Sequence, residues 1–233
     1  MFIFHWTFIL LIPALLLAVW AQSKVKSTYA RYSQVRSDAG MPGSEVARSI
    51  LDRNGLHDVD VEEVEGELSD HYDPKSKTVR LSAGNYRNAS LAGLAVAAHE
   101  CGHAIQHARS YAPLTFRTAF FPAASLGSSL AIPLFFIGFL FSAGGSGGLT
   151  LLMDIGILFF AAAVLFHVVT LPVEFDASKR ALALLGNTGY LSKQEVGGAR
   201  KVLNAAAWTY VAAASMAVLQ LVRLLVLRGA VSD

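Results

Sequence analysis

Four apolar stretches, each long enough to cross a bilayer, decide what this chain can fold into. They occupy residues 2–21, 118–141, 149–171 and 203–227, and a helix needs about 20 apolar residues to span the hydrocarbon core. Backbone groups in lipid must be satisfied internally, so each stretch is expected to be a transmembrane helix. The chain as a whole is 54% hydrophobic and only 15% charged, which is too apolar for an ordinary soluble domain. Stretch 2–21 carries no Asp, Glu, Lys or Arg and has no basic segment before it, so it reads as an anchor and not as a cleaved signal peptide. The glycine-rich run 142–148 makes a hairpin of the second and third spans, and Pro122 and Pro133 are places where the second can kink.

The basic residues orient this arrangement. Twelve of the nineteen Lys and Arg fall in residues 22–117, five in 173–202, and only Arg223 and Arg228 beyond. By the positive-inside rule, 22–117 and 172–202 are cytoplasmic, while both termini and the glycine turn face outward. The expected fold is an α-helical membrane protein with four transmembrane helices and a small α+β cytoplasmic domain. Asp154, near the outer end of the third span, is expected to snorkel to the interface. Within 22–117, Lys24, Lys26, Arg31 and Arg36 lie on a basic amphipathic segment suited to anionic headgroups. A helix is expected over 44–54 with Gly55 at its C-terminus, and strands over 59–64, 67–72 and 78–82, the last two joined by a turn at Asp73-Pro74-Lys75-Ser76.

Residues 99–103 read His-Glu-Cys-Gly-His within a segment rich in Ala and Leu that Asn88 or Ser90 can cap, with the helix expected over 90–110. Positions four apart share a helix face, so His99 and His103 can hold one metal ion, with Glu100 beside them as a general base. Cys101, the single cysteine, excludes an internal disulfide and points away from the histidine face. The net charge of +2 and the lack of basic-aromatic clusters argue against nucleic acid as a partner.

Catalytic zinc commonly takes three protein ligands and keeps one position open. A third histidine six residues after His103 is absent, because that position is Arg109. His107 is rotated away from the His99 face. Glu174, in the segment that leaves the third span after Pro172, is the preferred third ligand, and a new helix is expected to begin just after that proline. Asp176 is the alternative; it points about 200° away from Glu174 and can instead orient a ligand histidine. His71, Tyr72, His107 and Arg180 are candidates to stabilise an oxyanion.

These residues carry a resemblance. His99 to His107, Pro172-Val-Glu-Phe-Asp-Ala-Ser178, Ser23 to Tyr29, Asp70 to Pro74 and Thr78 to Ser82 resemble the YugP-type neutral zinc metallopeptidases, a family defined more by sequence than by demonstrated activity. The likeness covers nearly the whole chain. A more distant similarity is to the HtpX-type and CAAX-prenyl membrane proteases. That similarity implies a zincin-like site in which His99, His103 and Glu174 bind zinc and Glu100 is the base. Those proteases place an aspartate four residues after the ligand glutamate, whereas this chain has Ser178.

The expected function is that of a membrane-embedded zinc endopeptidase of gluzincin type, acting on peptides or membrane-protein segments. Its expected location is a bacterial cell membrane, with the active site facing the cytoplasm. The competing reading is a non-proteolytic membrane scaffold with a structural zinc site; Glu100 argues against it, because a structural site has no use for a base. The sequence leaves the oligomeric state open.

Overall fold

The structure, a computed structural model, describes residues 6–142 and 150–230. The glycine run and residues 2–5 of the first stretch fall largely or wholly outside the described residues. A 3-10 turn, Trp6–Leu11, leads into helix α1 (Ile12–Ser33). Then come α2 (Gly43–Arg53), β1 (Asp60–Val64), β2 (His71–Asp73), β3 (Thr78–Ser82), α3 (Ala83–Arg87) and α4 (Leu91–Ala108). Three long helices complete the chain: α5 (Ala112–Ser142), α6 (Thr150–Asn187) and α7 (Lys193–Gly229). Among the described residues, four segments are long and apolar enough to cross a membrane: Trp6–Ser33, Ala112–Phe141, Thr150–Asn187 and Lys193–Gly229. The mostly helical fold with a small sheet therefore agrees with expectation.

The chain divides into two compact units. One comprises the described parts of Met1–Trp20, Phe116–Leu171 and Tyr210–Asp233. Its inner side is closed by Phe135, Met153, Leu224 and Leu227. Small residues let its helices approach closely, as is usual in bilayers: a Cβ on Gly156 would lie 2.7 Å from the Ala131 carbonyl oxygen, and one on Gly127 would lie 3.0 Å from that of Phe159. Leu126, Leu140, Leu151 and Leu158 turn outward and are exposed, as suits lipid-facing residues. Asp154 has a partner within the unit. Its carboxylate accepts from Arg228 Nε at 2.7 Å, so the charge is shared with a cation on α7. Buried Arg223 donates to Thr7 Oγ1 at 3.3 Å and lies over the Phe8 ring.

The other unit, Ala21–Thr115 with Pro172–Thr209, packs helices against the sheet. Its core gathers Val46, Ile50 and Leu51 of α2, Val79 and Leu81 of β3, Leu94, Ala98 and Cys101 of α4, and Ala181 and Leu185 of α6. The sheet order is β1-β3-β2. β3 is central, so both of its edges are paired, and Val79, Leu81 and Ser82 are all buried. β2 and β3 form the expected antiparallel hairpin, with Tyr72 opposite Val79. In its turn, Asp73 accepts from the Lys75 amide at 2.9 Å and from Ser76 Oγ at 2.8 Å, which is how a short acid initiates a reversal.

Two expectations need correction. The second strand begins only at His71, because Gly66 (φ 100°) and Leu68 (φ 55°) take left-handed conformations that break an extended run. Asp70 serves as an acceptor instead, receiving the Ser82 amide at 2.8 Å and Asn85 Nδ2 at 3.0 Å. Nor does a helix begin after Pro172: α6 runs through it without interruption. Val173, Ala177, Ala181 and Leu185, spaced by four, are all 0% exposed. A continuous buried stripe of this kind outweighs the one backbone hydrogen bond that a proline removes.

Candidate metal centre

Helix α4 sets the first half of the site. Ser90, not Asn88, caps it, accepting from the Gly93 amide at 3.0 Å. One turn apart on this helix, the imidazoles of His99 and His103 stand edge to face with ring centroids 4.8 Å apart. α6 supplies the other half. Glu174 is 2% exposed, and its Oε2 lies 3.3 Å from His99 Nε2 and 3.6 Å from His103 Nε2. The ligand atoms of the three residues all fall within 4.8 Å of one another.

What lets α6 come so near is Gly102, which the sequence reading passed over. A Cβ there would sit 2.8 Å from the Ala177 carbonyl oxygen and 3.2 Å from its Cα. The two helices meet backbone to backbone, with Gly102 next to His103 and Ala177 three residues after Glu174. Glycine is the one residue type that permits such an approach.

The groups behind the imidazoles are equally defined. Ser178 Oγ lies 3.2 Å from His99 Nδ1, at the position where the distantly similar proteases carry an aspartate. Gln106 Oε1 lies 3.0 Å from His103 Nδ1. Asp176 is outside the three-residue group; it accepts from Gln106 Nε2 at 2.8 Å and Arg180 Nε at 2.5 Å. Its influence on a histidine therefore passes through Gln106. Burial pushes the His103 pKa down, but its hydrogen bond with Glu174 and the negative charge of Glu100 outweigh this and hold it above the usual histidine value. Glu100 itself is 8% exposed.

The remaining candidates take other partners. His107 is exposed and pairs with Tyr72, whose hydroxyl lies 2.9 Å from His107 Nδ1. Burial, with the charges of Asp58 and Asp73, pushes the Tyr72 phenol up to about 12, so it stays a proton donor at any physiological pH. His71 turns Nδ1 toward the Ser69 carbonyl at 2.8 Å. Arg180 is engaged with Asp176 and stacks on Tyr111 at 5.8 Å. Cys101 is buried, donates to the Ala47 carbonyl at 3.6 Å, and has its thiol pKa pushed up by desolvation, so it is a packing residue.

Residues 7–229 match the family described as "Putative neutral zinc metallopeptidase". The chain belongs to this zinc metallopeptidase family. It is also 48% identical, over 214 residues and 92% of each chain, to "Putative membrane protease YugP" of Bacillus subtilis (strain 168). No solved structure matches it.

A zinc metallopeptidase implies zinc, and the donor set can be tested for fit. Two ligands each about 2.1 Å from a tetrahedral ion lie about 3.4 Å apart. The 3.3 Å and 3.6 Å separations between Glu174 and the two imidazoles bracket that edge. Two imidazole nitrogens with one carboxylate oxygen are also a donor set known from catalytic zinc. The family's metal thus has a matching set of side chains here.

Proposed function

We propose that this chain is a membrane-embedded zinc endopeptidase in which His99, His103 and Glu174 hold the ion and Glu100 is the general base. The observation that carries the reading is the convergence of three ligand atoms on one point, His99 and His103 partly buried and Glu174, 75 residues beyond His99, buried. Membership of a zinc metallopeptidase family and the likeness to a protein named as a membrane protease support it. Zinc held there would lower the pKa of a bound water and polarise a substrate carbonyl.

The chain's own residues do the rest. Glu100 takes the proton of the attacking water and delivers it to the departing amine, as a carboxylate next to the ligand face can. Glu174, buried and anionic, offsets the cation's charge. Substrates are extended segments of peptides or membrane proteins, and an outer strand of the β1-β3-β2 sheet can take such a segment as a further strand. The excess of Lys and Arg in 22–117 and 173–202 supports a cytoplasmic site, and the likeness to a Bacillus subtilis protein supports a bacterial cell membrane.

The test is metal content by mass spectrometry on detergent-purified protein, beside His103→Ala and Glu174→Ala, with hydrolysis of an unstructured protein such as casein assayed in parallel. About one zinc per chain in the parent and loss of both zinc and hydrolysis in the variants are expected. A parent that stays zinc-free after incubation with zinc would refute the proposal.

A further inference from the structure

Gln106 is 0% exposed and its amide is fully engaged. Nε2 lies 2.8 Å from the Val173 carbonyl oxygen and 2.8 Å from Asp176 Oδ2. Both partners only accept: one is a peptide carbonyl, the other a carboxylate oxygen that also receives Arg180 Nε. Both amide hydrogens are therefore committed, and the amide cannot be turned round without setting a carbonyl against two acceptors. Oε1 is left facing His103 Nδ1 at 3.0 Å. An amide oxygen has no proton to give, so the hydrogen of that bond must come from Nδ1.

A neutral imidazole has one N–H. With it on Nδ1, the lone pair is on Nε2, the nitrogen turned toward Glu174. We infer that Gln106 is a positioning residue that fixes His103 in the Nδ1–H tautomer and so keeps Nε2 ready to bind a metal. His99 has no equivalent: its Nδ1 faces the Ser178 hydroxyl, which can donate or accept and dictates no tautomer. Gln106 also hangs from α6 through Val173 and Asp176, so the helix that brings Glu174 also aims His103.

The inference rests on the zinc reading, and its test separates the two. Zinc affinity of the full-length, detergent-purified protein is measured by competition with a chelating dye. Gln106→Met and Ser178→Ala are compared with the parent, and folding is followed by circular dichroism. Gln106→Met should weaken zinc binding about 10- to 100-fold, and Ser178→Ala should weaken it less. Should the methionine variant fail to fold, nitrogen NMR of the histidine-labelled, zinc-free parent with His103 neutral decides: a proton on Nδ1 supports the inference, and a proton on Nε2 overturns it. Parent-like affinity in folded Gln106→Met also overturns it while leaving the zinc site standing. A parent that binds no zinc removes both.

Discussion

Gly102 and Ala177 meet without side chains between them: a methyl group on Gly102 would lie 2.8 Å from the Ala177 carbonyl oxygen. Gly102→Ala should therefore push α6 outward, costing about 1–3 kcal/mol of stability. Zinc affinity should fall more steeply than stability, because the separations from Glu174 to the imidazoles open together. Thermal unfolding and chelator competition on the same preparation check this; unchanged zinc affinity would mean that the helices meet differently.

Glu100→Gln removes a base and no ligand. The variant should bind zinc and unfold at the parent's temperature, yet hydrolyse casein about 10²- to 10⁴-fold more slowly. Residual activity close to the parent's would assign the proton transfer to another group.

Cys101 sits between the ligand histidines in sequence but faces the core, with its thiol pKa raised by burial. A maleimide should leave the folded protein unlabelled and active, and should react only on denaturation. Rapid labelling of the native protein would contradict the packing role.

Tyr72 provides a pH signature. Its folded pKa is about 12 against 10 for an ordinary phenol. The phenol's contribution to stability is thus complete below about pH 10 and is lost as pH rises toward 12. Thermal unfolding of the parent should become steeply pH-dependent in that window, and Tyr72→Phe should flatten the dependence. At neutral pH the same substitution should cost about 1 kcal/mol or less, the worth of one hydrogen bond to His107.

The parts of this fold governed by local rules could be read from the residues. Four long apolar helices follow from span length, α4 from a Ser90 cap and its Ala-rich run, and the β2–β3 reversal from Asp73 and Pro74. Long-range choices are less visible. The parallel pairing of β1 with β3 depends on which strand is flanked on both edges, and no local signal states that. Pro172 misleads because the proline rule is local, whereas the stripe from Val173 to Leu185 that overrides it is a tertiary fact; the spacing of four was there to be seen. Within the candidate site, His99, His103 and Glu174 stand out by residue type. Gly102 and Gln106 do not, since a helical glycine and a helical glutamine are commonplace until a neighbouring backbone is brought against them.

Glu174 and Ser178 are one helical turn apart, as are His99 and His103 opposite them. Glu174 faces both imidazoles and Ser178 faces His99 alone, so a single register of α6 sets every one of these contacts. A slip of α6 by one residue would present Phe175 and Lys179, or Val173 and Ala177, to the two imidazoles, replacing both partners in the same stroke. Between Glu174 and Ser178 the chain therefore cannot gain or lose a residue without parting Ser178 from His99 while Glu174 keeps its place.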